Sequence, residues 1–525
     1  VSRRSRWIGA GLLGAVALAA ALGTRSAVRT VPRLFRRNAE LKAQGYYMGE
    51  FEFKMLAVQH EVNRGRYLEA IRVLRRIERE MADPGGLARM PVRATPEQQM
   101  AFLLARQDPV TGAFMDPRYP PFTYFAPTCN VVEALVELRK QTGRPFRLAH
   151  PLRFLDRIGT PEMLRAYLDS LLYLDGPSAR FPGPGPYGPG ISELAAFTDL
   201  EEAGVHRFSE AWKTELRRWF YETQDPVSGF WGSRIGSPAK WRQRIDVTST
   251  FHILKLVLDP EGRDQDGRFP LRHADALARG ILDSLEVPIP EDTAAQHDWG
   301  LKQAQGAKIL VRYLWPRLPE AERERARRVF RRQLDRIFRL YRPEEGGFAY
   351  YTSAPGADLD GTGLALASLR HMGLLPGTSE RDRLWGQALA AGPARTFLTI
   401  RRWGEVRLPP VEGVRSCRVY AGAGEKGTLV QIAYPGGAGS LDLEDLRRGL
   451  GKYLASGGPS FGNWTSAAGL DAGFLGSDRH APPVTVVHGA PDLAAAARGR
   501  GASRFCVVGY DIAQIPLFRL VVTGA

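Results

Sequence analysis

Three stretches of this chain share one grammar, and that repetition restricts the fold more than any other property of the sequence. In each, a helix stops at a proline turn, a glycine and an aromatic residue follow, and after a loop a second helix opens on Asp or Thr. The first runs Gln107-Asp108-Pro109-Val110-Thr111-Gly112-Ala113-Phe114 and leads into Thr128-Cys129-Asn130. The second runs Gln224-Asp225-Pro226-Val227-Ser228-Gly229-Phe230-Trp231 and leads into Asp246-Val247-Thr248. The third runs Tyr341 to Phe348 through Pro343 and Gly346-Gly347, and leads into Asp358-Leu359-Asp360-Gly361-Thr362. A helical hairpin copied in this way marks a repeat architecture, because one such unit cannot bury its apolar face without neighbours.

Reading outward from these turns, two classes of helix alternate between residues 95 and 390. Short helices rich in Ala, Leu and Val are expected at 128–138, 191–202, 246–257, 298–313 and 358–372. Amphipathic partners are expected at 102–106, 161–173, 209–223, 273–285 and 320–341. In the last of these Val329, Phe330, Leu334, Ile337 and Phe338 form an apolar stripe and arginines occupy the remaining face, the pattern of a helix wet on one side. The short apolar helices suit an inner layer, surrounded by neighbours.

The Gln-Asp-Pro-x-x-Gly turns followed by Asp- or Thr-led helices resemble the repeats of the prenyltransferase and terpenoid-cyclase toroid superfamily. The resemblance covers about residues 95 to 390, and it implies a mainly α fold, an α/α toroid in which helical hairpins close into a double ring. It also implies that the glutamine, Gln107 or Gln224, ties the outer helix to its neighbour while the aromatic residue plugs the hairpin. Asp358-Leu359-Asp360-Gly361-Thr362 resembles the Asp-x-Asp-Asp-Thr motif of class II terpene cyclases, with Asp360 at the position of the central acid and Gly361 in place of the following Asp. The protein-prenyltransferase branch implies a zinc thiolate. Cys129 lacks the Asp two residues earlier that such a site uses, so no metal or other cofactor is expected.

Outside the toroid, expected at 93–395, three further segments are read. Arg3, Arg4 and Arg6 precede an uncharged run over residues 7–24, near the length of a bilayer span, so residues 1–30 are read as a membrane anchor or a signal segment. Arginines at 25, 29, 33, 36 and 37 leave no positive-inside bias toward export, so the side of the membrane stays open between cytoplasm and periplasm, and the length of the run favours an anchor over a cleaved signal. Residues 31–92 are expected to form a helical hairpin collar. Asn63-Arg64-Gly65-Arg66-Tyr67 resembles the turn of a tetratricopeptide unit, and Asp83-Pro84-Gly85-Gly86 closes the segment. From residue 396 onward β-branched runs between glycine turns, with helices near Ser440 and Pro491, indicate a small α+β domain whose surface offers a site for a protein partner.

The formal net charge of +16 suits anionic lipid as well as nucleic acid, and the arginines are dispersed along helices rather than clustered. With no recognition motif, nucleic acid is not the expected partner. Three separated cysteines form neither a disulfide framework nor a metal-spaced pair. Gly422 and Gly424 ahead of Lys426 do not make a phosphate loop, since Gly427 stands where Ser or Thr is needed.

Chemistry is expected where the inner helices open. Asp358 and Asp360 are candidate acids, and His297 with Asp298 offers a second pair. Asp246, His252, Glu133, Glu193, Trp299 and Thr362 are candidate ligand contacts around the same space. A helix-opening Asp is also the ordinary N-cap, which competes with every acid role at 246 and 358. Three functions remain open: binding or conversion of a lipid or isoprenoid-like ligand at the membrane, a non-catalytic scaffold, and a sugar-active (α/α) barrel using Asp298 with Asp246 or Glu193.

Overall fold

The structure, a computed structural model, describes residues 30–374 apart from 32, 39, 42–43, 90–93, 175–184, 292 and 343, then 380–385, and after these the six strands of a C-terminal sheet. The anchor or signal segment and the two helices expected near Ser440 and Pro491 lie outside the described residues. Among the described residues no helix is long and apolar enough to cross a membrane. The chain is mainly helical and divides into two compact units, one reaching Leu277 and one starting at Ala278.

In the first unit, α1 (Phe51–Asn63) and α2 (Tyr67–Ala82) form the collar hairpin, turning at Gly65 with φ +68°. Val73, Leu74, Ile77 and Met81 are buried along one side of α2. They share a cluster with Ala113, Met115, Tyr119 and Tyr124, so the first repeat covers the apolar face that a lone hairpin leaves bare. Next come α3 (Pro96–Leu104), started by the Thr95/Gln98 capping box, and α4 (Phe125–Thr142), which stops at the left-handed Gly143. The unit continues with α5 (Pro161–Leu172), β1 (Tyr173–Leu174), α6 (Tyr187–Gly190), a 3-10 turn over Ser192–Ala196 and α7 (Phe197–Glu202). Then follow α8 (Glu210–Thr223), β2 (Arg234–Ser237), β3 (Lys240–Gln243), α9 (Val247–Val257) and α10 (Ala274–Glu286), the last crossing into the second unit.

The second unit holds α11 (Thr293–Lys308), which runs into a π-helical segment at Ile309–Leu314, and α12 (Glu320–Arg339). β4 (Tyr341–Arg342) pairs antiparallel with β5 (Gly347–Phe348), and α13 (Leu359–His371) and α14 (Glu380–Trp385) follow. α11 and α13 pack together, and Gly300 permits the close approach: a Cβ there would stand 2.8 Å from Leu364 Cδ2. The C-terminal strands are β6 (Thr396–Ile400), β7 (Ser416–Ala421), β8 (Thr428–Ala433), β9 (Thr485–Val487), β10 (Arg504–Tyr510) and β11 (Pro516–Thr523). They order as β6-β11-β10-β7-β8-β9 in one mixed sheet, with parallel pairs at its two edges.

The repeat turns share two glutamine bonds in the first two copies, and the first copy adds a third. Gln107 Nε2 donates to Gly112 O at 2.8 Å and to His150 O at 2.7 Å, and Gln107 Oε1 accepts the His150 N–H at 3.0 Å. Gln224 Nε2 donates to Gly229 O at 2.8 Å, and Gln224 Oε1 accepts the Arg272 N–H at 3.1 Å. Each glutamine thus fastens its own turn to the start of the next hairpin. In the third copy the β4–β5 ladder takes this place at Tyr341, which leaves the helix for an extended backbone.

Candidate functional site

Three of the expected contact residues approach one another in the first unit. α4 carries Cys129 and Glu133, the 3-10 turn carries Glu193, and α7 carries Asp199. α9 carries His252 and, three residues on, Lys255, so the two share a face of that helix. His252 Nε2 lies 3.2 Å from Glu193 Oε1, with both side chains about four-fifths buried (18% and 21% exposed).

Burial pushes the Glu193 carboxyl up to about 7; Lys255 draws it back, and Asp199 and Glu133 push it further up. The fifth of its surface still open to water limits that desolvation. Asp199 is raised for the same first reason, burial, and then by Glu133, against Lys255. Cys129 is buried and its thiol is held well above the usual range by burial and then by Glu193, Asp199 and Glu133. It therefore stays a thiol, a weak nucleophile. Among the described residues no group of three or more His, Cys, Asp or Glu is arranged to hold a metal ion.

The remaining candidates have structural partners. Asp246 caps α9, accepting the Ser249 N–H at 2.9 Å. Asp358 is fully buried and caps α13, accepting the Gly361 N–H at 2.6 Å and the Tyr350 N–H at 2.8 Å. Thr362 Oγ1 accepts the Phe348 N–H at 2.9 Å. Asp360 is buried in the first turn of α13. A Cβ on Gly361 would stand 2.4 Å from Tyr350 N and 2.5 Å from the Ala349 carbonyl carbon, so the last Asp of an Asp-x-Asp-Asp motif has no room there.

Asp298 corrects an expectation. It does not open a helix: α11 starts at Thr293, and Asp298 sits on its second turn, exposed and paired with Lys302 at 2.5 Å. Trp299 is buried and donates through Nε1 to Val287 O at 3.0 Å, which anchors α11 to the end of α10. The backbone of His297 belongs to α11, and its side chain lies outside the described residues. Asp199 and Lys255 escaped the sequence reading because neither opens a helix, and the change from 3-10 turn to α-helix between Glu193 and Asp199 hides their shared environment from any periodic pattern.

No family model, no curated protein and no solved structure matches this chain.

Proposed function

We propose that the chain is an α/α-toroid protein, held at a membrane by its N-terminal apolar run, that takes a lipid or isoprenoid-like ligand against its inner helices and moves a proton at Glu193. The observation carrying the proton-transfer role is the 3.2 Å approach of Glu193 to His252, both about four-fifths buried, with burial pushing the Glu193 carboxyl up to about 7. A carboxyl of that acidity serves as acid and as base near neutrality. It is too weak an acid for an alkene, so its partner on the ligand is an oxygen or nitrogen of the polar end. Asp360, buried beside the Asp358 cap in the second unit, is proposed separately, from the resemblance of its motif alone, as an alkene-protonating acid.

The hairpin repeat is supported by the repeated turn bonds, while the closed ring and the isoprenoid class rest on the resemblance of those turns to the cyclase and prenyltransferase repeats. A sugar-active enzyme is the second reading, favoured by a different feature of the same group: the raised Glu193 carboxyl stands near the carboxylates of Asp199 and Glu133, and glycosidic cleavage uses a pair of carboxyl groups. A scaffold needs none of this chemistry.

The test is native mass spectrometry of the full chain extracted from membranes, followed by incubation of parent, Glu193→Gln and Asp360→Asn with squalene, a linear polyprenyl diphosphate and neutral oligosaccharides. Copurified apolar ligand and a product lost in Glu193→Gln support the proposal. Oligosaccharide hydrolysis lost in the same variant transfers it to the sugar reading. Neither ligand nor turnover leaves the scaffold.

A further inference from the structure

Tyr67 and Leu68 stand side by side in the first turn of α2, 43% and 70% exposed. Neither belongs to the apolar cluster that the rest of the collar hairpin shares with the first repeat. Both therefore leave apolar surface in water at the tip of the hairpin, just past the Gly65 turn. Arg64 and Arg66 flank that glycine, and both are exposed. Arg66 is paired with Glu61, while Arg64 meets no carboxylate among the described residues.

The chain arrives at the collar from the N-terminal apolar run, and its path points the tip back toward that run. Residues 30–31 and 33–38 are helical, and Leu34 is buried in the hairpin's cluster. Arg33 Nη2 lies 3.5 Å from Glu78 Oε1, and four residues on Arg37 Nε donates to Met81 O at 3.3 Å. The entering helix thus runs alongside α2 in the same direction, so its start points toward the N-terminus of α2. With residue 30 about level with residue 75, the first turn of α2 lies about 12 Å further back. Six residue steps link residue 30 to residue 24, where the run ends, a reach of about 20 Å at most. The tip therefore lies within the chain's reach of the plane in which the run ends.

We infer that the hairpin tip sits in the head-group layer of the phospholipid bilayer that holds the run, with Tyr67 and Leu68 below the phosphates and Arg64 on a phosphate oxygen. This depends on the membrane anchoring proposed above. Tyrosine joins an apolar ring to a polar hydroxyl and so matches the boundary between acyl chains and water, and leucine fills the apolar side of that boundary. An arginine beside them pairs with phosphate oxygens. A contact this small adds to the hold of the run and orients the collar on the surface, and does not bind a membrane by itself.

The full chain is reconstituted in nanodiscs of phosphatidylcholine doped with a phosphatidylcholine that carries a diazirine near its glycerol backbone, then irradiated. Peptic peptides are mapped by mass spectrometry. Label is expected on the run and on residues 64–70, the latter at least ten-fold above the exposed Val110 and Val227 turns. Y67S/L68S is expected to lower the label at the tip at least five-fold and to leave the label on the run unchanged. R64Q, at an exposed position, is expected to lower it at least two-fold and serves if the double variant fails to fold. Label on the run with none at the tip overturns the inference and leaves the anchor standing. Label at the tip without the run keeps the contact and removes the anchor. Equal label at the tip and at Val110 and Val227, or cross-links from Tyr67 to a second copy, overturns the inference; label nowhere removes both.

Discussion

The backbone N–H of Trp231 donates to Thr250 Oγ1 at 3.1 Å, and Thr250 Oγ1 donates back to Trp231 O at 3.2 Å. The same bond recurs from Phe114 to Thr128 at 3.2 Å and from Phe348 to Thr362 at 2.9 Å. All three aromatic residues and all three threonines are almost wholly buried. One hydroxyl near the start of each of these three helices thus satisfies the backbone of the aromatic residue that precedes it, and that backbone has no water to turn to.

Removing that hydroxyl leaves a buried N–H without a partner, at a cost of about 1–3 kcal/mol. Thr250→Val, nearly the same shape, is expected to lower the thermal midpoint measurably, whereas Thr250→Ser retains the bond and most of the stability. Differential scanning calorimetry of the two variants checks the bond; equal midpoints for Val and Ser would show that the contact contributes nothing.

The turn glycines allow a paired comparison. Gly112 and Gly229 both sit at φ +74°, and a Cβ on Gly112 would stand 1.9 Å from Pro151 O. Gly143, at φ +69°, has open space around it. Gly143→Ala therefore meets only the left-handed backbone penalty, on the order of 1 kcal/mol. Gly112→Ala adds a clash against main chain that no rotamer relieves. Urea unfolding midpoints are expected to fall in the order parent, Gly143→Ala, Gly112→Ala.

These two sets of residues also mark how much of the molecule was legible in its sequence. The plugs, the glutamine ties and the Asp and Thr helix openings are local devices, each written within a span of about twenty residues, and α5, α8, α9, α10, α12 and α13 lie within two residues of their expected limits, whereas α3 was expected only at 102–106 and the helix expected at 191–202 is broken by a 3-10 turn. Residues whose meaning depends on distant partners were not legible in this way. Asp298 looks like a helix opening because an apolar run follows it, yet the chain had already become helical at Thr293. Thr396–Ile400 lies in the stretch expected to be α+β, but its place as β6 at the sheet edge is specified by parallel pairing with β11, the last strand of the chain, which no local pattern writes. The approach of His252 to Glu193 joins two repeats, and no motif within either one announces it.

Asp358 tests the competition between cap and acid. It holds two backbone N–H groups from a fully buried position, and replacing an N-cap Asp by Ala costs about 0.5–2 kcal/mol. Asp358→Ala is expected to destabilise by that amount or more, because Tyr350 N–H is also abandoned. Asp358→Asn, which keeps one acceptor oxygen, falls between. Gly361→Asp, built to complete an Asp-x-Asp-Asp sequence, is expected to unfold the second unit more than Asp358→Ala does, since its Cβ meets the Ala349–Tyr350 backbone. Circular dichroism melts rank the three; a well-folded Gly361→Asp would show that this close approach is not fixed.

Glu193 gives the pH dependence its sign. Burial raises its carboxyl to about 7 in the folded chain, above the ordinary value near 4.5, so between those limits the native state binds more protons than the unfolded state. Its contribution is most favourable below about pH 4.5 and is lost as pH rises through about 7. Each ten-fold difference in proton affinity between the folded and unfolded chain is worth ~1.4 kcal/mol. The side chain is one-fifth exposed, which brings the expected loss to about 1–3 kcal/mol. Glu193→Gln keeps the shape and cannot ionise, so the stability difference between variant and parent should widen steadily from pH 5 to pH 8 in the variant's favour. Parallel urea titrations across that range measure it. A difference that stays flat would mean that Glu193 titrates as a solvated carboxylate, and the proton-transfer role assigned to it would go with it.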